Sequence, residues 1–394
     1  MNILFVCHRM PFPPNRGGKI RPFHMIRHLS EKHDVLVASL AESEQELREG
    51  AGLKAYCKDL IVEVIPPAIR WARTIAALGS STPSSAAYFW SPRLHRRIRQ
   101  AVRGVRLDLI FVHCAFVGRY VLDYEARQRI IDFGDLDSGK WFDYSRHRAF
   151  PLSLGFGLEA RKLRSYERFL AARFDHCTVT TQGELDEYRT IGVPTTGSVI
   201  PNGVDTTYFR QTVHEAGDSS VIAFLGRMNY YPNVDGVLYF AQEVFPLIRQ
   251  KMPKAVFRII GSNPTREVDS LANHPGIEVT GSVPDVRPYL KDVALTIAPL
   301  RIARGTQNKI LESMAMRIPV VATPQAAKGV QAEHGRHLLV ASNAHDFADR
   351  VVVLLDSPKL RGELAQAAYD QLKRGHMWSE SCALLDRLVE RRKG

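Results

Sequence analysis

What this sequence lacks narrows it first. No apolar run approaches the roughly 20 residues needed to cross a bilayer, so the chain is expected to be soluble or peripheral. No basic segment precedes the opening MNILFVC, and that run is too short for a secretory h-region. It reads as a first strand, and the protein is expected in the cytoplasm. Cysteine is sparse: Cys7, Cys57, Cys114, Cys177 and Cys382 are scattered, odd in number and without metal-ligand spacing. That pattern fits free thiols in a reducing compartment better than a disulfide framework or zinc site. No GxGxxG follows the first strand, which counts against a dehydrogenase. No helix-turn-helix, zinc-finger or RNP pattern accompanies the positive charge, which argues against nucleic acid. Internal repeats and low-complexity tracts are also missing.

What is present fits an ordinary globular chain. With 394 residues, 45% hydrophobic and 24% charged, it is long enough for two domains, each with its own core. The net charge of +12 is uneven: residues 1–200 hold 29 Lys+Arg against 21 Asp+Glu, an excess of 8. Much of it lies in RLHRRIRQAVRGVR (Arg93 to Arg106) and RKLRSYERFLAAR (Arg161 to Arg173). Such runs either attract an anionic membrane surface or acidic substrate, or are solvated helix faces.

Short β-branched runs (ILFVC, DVLVASL, LIVEVI, DLIFVHC, RIIDF, HCTVTT) alternate with segments of helical period up to about residue 190. The pattern then restarts with SSVIAFLG, AVFRIIG, GIEVTG, VALTIAPL, IPVVAT and HLLV. Strands alternating with helices predict parallel sheets in βαβ units, and two series predict two Rossmann-like, doubly wound α/β domains. The Gly-, Pro- and Thr-rich stretch over 192–220 reads as the linker. The domains are therefore expected at 1–197 and 198–375.

Ligands of open α/β sheets bind at the carboxyl ends of the strands, so the junctions there carry the candidate chemistry. After the first strand, CHRMPFPPNRGGKIR brings Gly17 and Gly18 to a helix start. Paired glycines there suit a phosphate or simply make a tight turn. The second series offers FLGRMNYYPNVDG, where a strand ends at Gly226 and the planar fork of Arg227 could clamp a diphosphate. A further junction, RIARGTQNKILESMA (Arg301 to Ala315), places Lys309 at a helix start.

Taken in order, IPNGVDTTYF, FLGRMNYYPN, FRIIGSNP, VTGSVPDVRPYL, IAPLRIARGTQNKILESMAM and IPVVATPQAAKG resemble the donor-sugar half of GT-B glycosyltransferases of family 4. The wording is most similar to sugar transferases of bacterial exopolysaccharide clusters of the PEP-CTERM/exosortase type. PFPPNRGGKIRPFHMIRHLS and DFGDLDSGKW extend the resemblance to the first half of the chain.

This resemblance implies two domains facing a cleft, with a final helix, 376–394, that crosses back to the first domain. Trp378 and Leu385 would then be hinge contacts. It implies a retaining hexosyltransferase, metal-independent and without cofactor, that moves a sugar from a nucleotide-sugar donor, with UDP or GDP, to a glycan or polyprenyl-diphosphate-linked acceptor. The loop Gly305, Thr306, Gln307, Asn308 would offer N–H groups and a helix N-terminus to the diphosphate, beside Lys309 and Arg227. Glu312 would bind the ribose; the backbone around Ser262, Asn263 and Val283 would take the base. Closure of the two domains would exclude water from the reaction.

Two departures from the family pattern stand out. Its first glutamate falls on Arg304, so the sugar contact it makes there is lost or remade. The lysine usual after the Gly-Arg pair is replaced within MNYYPN, and Lys309 is expected to compensate. On the acceptor side, IIDFGDLDSGKW places Asp132, Asp135 and Asp137 after a strand. Asp135, then Asp132, is the expected contact for the sugar or attacking hydroxyl, with helix capping or a turn the alternative. A nucleotide-sugar epimerase of the same fold and a non-catalytic scaffold of the polysaccharide assembly are the competing functions. The lipid-linked acceptor also implies peripheral association with the anionic inner face of the plasma membrane. Trp71, Ile75 and Leu78, at helical spacing in AIRWARTIAALGSS, either insert shallowly there or pack into the first core.

Overall fold

The structure is a computed structural model that describes residues 1–210 and 219–390. Of the expected linker, 211–218 lie outside the described residues, as do 391–394 of the expected final helix. Contacts divide the chain into two units: Met1–Pro201 with the residues from Ser381 onward, and Asn202–Glu380.

The first unit is built on seven strands: β1 (Asn2–Cys7), β2 (Asp34–Ala41), β3 (Asp59–Val64), β4 (Leu109–His113), β5 (Gln128–Gly134), β6 (His176–Val179) and β7 (Thr196–Val199). Their order is β3-β2-β1-β4-β5-β6-β7, and every adjacent pair is parallel. Successive residues of a strand point to opposite faces. Leu4, Val6, Ile110, Val112 and Ile131 accordingly enter one core with Phe89 and Tyr120. Ile3, Phe5, Leu109, Phe111 and Ile130 enter the other with Phe23 and Ile26. A sheet buried on both faces explains why the strands read as continuous apolar runs rather than alternating ones.

β7 was not foreseen, because its sequence, TGSV, falls within the stretch that reads as linker. Side-chain pairing outside the strand defines it: the His176 ring meets Thr196 Oγ1 at 2.9 Å and Ser198 Oγ at 2.8 Å. Gly197 is required there, since a Cβ would stand 2.8 Å from the Tyr188 ring.

The last helix, Trp378–Val389, is shared. Leu385, Leu388 and Val389 belong to the first unit's core beside Ile3 and Phe5. Trp378 falls in the second unit, where its backbone nitrogen leaves a Cβ on Gly203 only 2.5 Å of room. Trp71, Ile75 and Leu78 do not pack into the first core: they are 60%, 64% and 64% exposed.

The second unit holds β8 (Val221–Leu225), β9 (Val256–Ile260), β10 (Ile277–Val279), β11 (Val293–Ala298), β12 (Val320–Ala322) and β13 (Leu339–Val340). Their order, β10-β9-β8-β11-β12-β13, repeats that of the first unit, again all parallel. In each unit the winding reverses between the first and fourth strands, β1/β4 and β8/β11. The loops after these strands diverge, which leaves a crevice at their carboxyl ends.

Because Leu385 is fully buried in the first unit's core, Leu385→Ala should destabilise that unit by about 2–5 kcal/mol. Amide exchange should accelerate in β1 and β2 and stay unchanged in β8 and β9. Unchanged exchange in β1 would show that the helix does not stabilise this core.

Candidate active site

In the second unit the sequence-predicted residues gather on loops at the carboxyl edge of the sheet. The chain leaves β8 at Gly226, with φ 157°, and Arg227 follows, part-buried. Asn233, at the start of the helix Tyr231–Tyr239, donates through Nδ2 to the Arg227 carbonyl at 2.9 Å. Its Oδ1 accepts from Lys309 Nζ at 2.6 Å. Arg227 and Lys309, far apart in sequence, are thus tied through one amide side chain. Asn233 lies inside a quoted motif, yet nothing in its type or spacing marked it as the link.

Backbone approach leaves no room for side chains at two points of this edge. A Cβ on Gly261 would stand 1.6 Å from the Gly226 carbonyl oxygen, and one on Gly329 would stand 1.7 Å from that of Gly305. Gly305 itself has φ 59°, in the left-handed region where glycine is favoured. Beyond it, Thr306 Oγ1 is buried without a hydrogen-bond partner. Gln307 Nε2 donates to the Arg304 carbonyl at 2.9 Å, and Asn202 Nδ2 donates to Asn308 Oδ1 at 3.4 Å. The helix Asn308–Ala315 then begins, with no side chain capping its first N–H groups.

Lys309 and Glu312 lie on this helix, both part-buried. Burial pushes the Lys309 ammonium down to about 7, against the pull of Glu312, and the ammonium stands 4.3 Å from the Phe224 ring centre. Burial likewise pushes the Glu312 carboxyl up to about 7, against the pull of Lys309.

Ser262 and Asn263 follow β9. The Ser262 carbonyl accepts from the Met228 N–H at 2.8 Å, and Asn263 is exposed with φ 55°. Val283 packs against a small apolar cluster around Leu225 and Ile260. Near it, Tyr208 Oη meets Asp285 at 3.1 Å, and Arg287 stacks over the Tyr208 ring at 4.3 Å. Arg287's hydrogen bonds hold the Asp285 carboxyl down at about 2.

The first unit has its own cluster at the β1/β4 reversal. Asp132, on β5, is fully buried. Arg21 grips both its oxygens, at 2.8 and 2.7 Å, while Thr178 Oγ1 donates at 2.7 Å and His113 Nδ1 lies at 2.7 Å. Burial pushes this carboxyl up, but the Arg21 charge and the hydrogen bonds from Arg21 and His113 prevail and hold it well below the usual range. Asp132 is thus enclosed by partners of its own unit, with none of its surface exposed. The ionised carboxylate accepts from Nδ1–H and so fixes the His113 ring.

His113 closes β4 and was missed. Its only signal was a polar residue ending an apolar strand, DLIFVHC. The next residue, Cys114, takes φ 81°, unusual outside glycine. Beside His113 lies His8, ring centres 5.8 Å apart, with its Nδ1 buried and without a partner. Burial, then the charge of Arg9, keeps His8 neutral.

Asp135 is part-buried and accepts from Thr180 Oγ1 at 2.6 Å. Asp137 opens the helix Asp137–His147, with burial pushing its carboxyl up to about 6. Gly17 and Gly18 are exposed in the first turn of the helix Gly17–Ser30. A Cβ on Gly18 would meet only Arg9 Cδ at 3.6 Å, so crowding within this unit does not demand a glycine there.

Two doubly wound units of this order, each with its loop cluster at the strand ends, define the GT-B class of glycosyltransferases. Residues 16–208 match the family described as Glycosyltransferase Family 4, and residues 219–357 the one described as Glycosyl transferases group 1. The chain thus carries both domains of a GT-B glycosyltransferase. It is similar to TuaC of Bacillus subtilis (strain 168), named as a teichuronic acid biosynthesis glycosyltransferase, at 26% identity over 45% of this chain and 46% of that one. The chain therefore matches about half the length of that relative. Sucrose-phosphate synthase from Thermosynechococcus elongatus shares the fold at 14% identity, with TM-score 0.72 and 98% of each chain covered. Anabaena HepE, solved in complex with UDP-glucose, shares it at 14% identity, with TM-score 0.69 and 99% of each chain covered.

Two outcomes follow from these environments. With its amines carbon-13 methylated, the Lys309 signal should titrate near pH 7, well below the other lysines; a midpoint near 10 would contradict its environment. Arg21→Ala, which strands the buried Asp132 charge, should cost about 3–5 kcal/mol at neutral pH. Asp132's native carboxyl is depressed below its unfolded value, so its stabilisation is present above about pH 4 and lost as the pH falls below that. The deficit of the variant in denaturant unfolding should therefore shrink in acid, and an equal deficit at both pH values would refute the pair's role.

Proposed function

We propose that this protein is a retaining, metal-independent hexosyltransferase of bacterial exopolysaccharide biosynthesis, acting at the cytoplasmic face of the plasma membrane. It takes a sugar from a UDP- or GDP-linked donor and delivers it to a glycan or polyprenyl-diphosphate-linked acceptor. The observation that carries the reading is the chain Arg227, Asn233 and Lys309, next to the glycine approaches at 226/261 and 305/329. Cationic groups, open backbone and an uncapped helix start converge there, which is what a diphosphate needs. HepE's complex with UDP-glucose supports the donor class, and TuaC's name supports a cell-surface polysaccharide as product. The ordered motifs support the narrower likeness to transferases of PEP-CTERM/exosortase-type clusters.

In this reading the second unit, 198–375 with the boundary drawn by sequence, binds the donor, and the first unit, with the final helix, binds the acceptor. Arg227, Lys309 and the N–H groups of Gly305 to Asn308 stabilise the diphosphate as the anomeric C–O bond lengthens. Glu312 binds the ribose, and the backbone at Ser262, Asn263 and Val283 meets the base. Gly17 and Gly18 lie against the donor phosphate or the acceptor. The acceptor hydroxyl attacks the face from which the diphosphate leaves, and its proton passes to the departing oxygen. His113, held by Asp132, and Asp135 orient the sugar and that hydroxyl. Rate then comes from placement and fixed charge rather than from a strong base.

Thermal-shift screening of nucleotide sugars identifies the donor, and proton NMR of the product reads its anomeric configuration. Lys309→Ala and Arg227→Ala should each lower kcat by about 100-fold or more. Glu312→Ala should chiefly weaken nucleotide affinity. Near-normal turnover in both cation variants would remove the diphosphate clamp, and an inverted product would remove retention.

A further inference from the structure

The first unit exposes apolar side chains on two adjoining helices. On the helix Pro67–Ala77 and its C-cap, Trp71, Ile75 and Leu78 stand four and three residues apart, on one face. A second stripe runs from Phe150 through Leu154 to Leu158 along the start of the helix Leu152–Ala171. Phe150 is 80% exposed, and Leu152, Leu154 and Leu158 are each about half exposed or more.

The two stripes adjoin. One turn beyond Leu158, Lys162 Nζ donates to the carbonyls of Ala77 and Leu78 at 3.0 and 2.8 Å. Glu159 accepts from the Ser84 and Ser85 N–H groups at 3.0 and 2.9 Å. Trp71 makes an edge contact with Tyr88, ring centres 5.8 Å apart. A patch of this kind is larger than scattered surface leucines account for.

The segments that carry the patch are rich in arginine and poor in acids. No Asp or Glu occurs between Glu63 and Asp108, a segment with eight arginines, or between Asp143 and Glu159, where Arg146, His147 and Arg148 lead up to Phe150. Some of these arginines are engaged: Arg97 donates to the Val62 carbonyl at 2.5 Å, and Arg93 and Arg97 approach Glu63 at 3.9 and 3.6 Å. Arg146, on the turn beside Phe150, keeps three quarters of its side chain exposed while 3.7 Å from Asp143. Tryptophan, phenylalanine and leucine tips on acid-poor, arginine-bearing segments match an anionic lipid surface: apolar tips enter the acyl boundary and guanidinium groups meet headgroups. No helix among the described residues is long and apolar enough to cross a membrane, so the contact would be peripheral.

We infer that the Trp71/Ile75/Leu78 and Phe150/Leu154/Leu158 stripes together form a face that docks the protein on an anionic lipid bilayer. The inference rests on the proposed function only for its purpose, which is to bring the acceptor site to a lipid-linked substrate.

The full chain is sedimented with vesicles of phosphatidylglycerol and phosphatidylcholine, or of phosphatidylcholine alone, at low and high salt. Binding is expected only with the anionic vesicles and should weaken as salt rises. The double variant Trp71→Asp with Phe150→Asp should bind about tenfold more weakly or worse, with turnover on a soluble acceptor unchanged. Lipids brominated in the upper acyl chain should quench the protein's tryptophan fluorescence, and Trp71→Phe should abolish that quenching while the vesicles still pellet the protein. The inference is overturned by equal binding to both vesicle types, by unaltered binding of the double variant, or by concentration-dependent self-association that the same substitutions disperse, since the face would then seat a second copy. Loss of turnover on the soluble acceptor by the wild-type chain would instead count against the transferase reading.

Discussion

A carboxylate sealed from water needs partners on every side, and Asp132 obtains them from three other elements of the first unit. Arg21 reaches it from the first helix, His113 from β4 and Thr178 from β6, while Asp132 itself sits on β5. Arg21 also donates to the Ile200 carbonyl at 2.7 Å, close to the end of the unit's main segment. Breaking one bond leaves the other groups buried and short of a partner, so the arrangement forms as a set or not at all. Strand register, the seat of the first helix and the aim of the His113 ring therefore depend on one another.

The second unit reaches similar precision by a different route. Its junctions rely on backbone contact, with Gly261 against Gly226 and Gly329 against Gly305, and on an amide bridging a strand-end loop to a helix start. Asn233 suits that bridge because one side chain carries both a donor and an acceptor, whereas an aspartate there could not donate to the Arg227 carbonyl. Lys309 can then stay partly buried beside Phe224 without a direct carboxylate bond.

Much of this was legible in the sequence, and the failures have physical causes. Twelve of the thirteen strands among the described residues announced themselves as apolar runs, because a parallel sheet covered on both faces leaves a continuous signal. β7 was hidden since its hold comes from His176, a residue 20 positions away. The donor-side loops could be located by ordered motifs, but not the amide that joins them. Asp135 was ranked ahead of Asp132 without sight of their surroundings, because burial leaves no mark on residue type. The pairing with Arg21, more than 100 positions earlier, separates them. His113 escaped because a histidine at a strand end looks the same whether it packs or faces a ligand.

The helix that begins beside the uncapped loop carries a lysine and a carboxyl whose buried environments bring both near neutrality on the pH scale. Under the proposed function, an arriving diphosphate would favour the ammonium form, so its binding would draw a proton from solution and its departure would return one. Heats of binding measured in buffers of different ionisation enthalpy would then differ by a fixed multiple of that enthalpy. Under the proposed function, affinity for the donor would thus become a function of the proton activity around the protein, set by a side chain that need not take part in the transfer of the proton from the attacking hydroxyl.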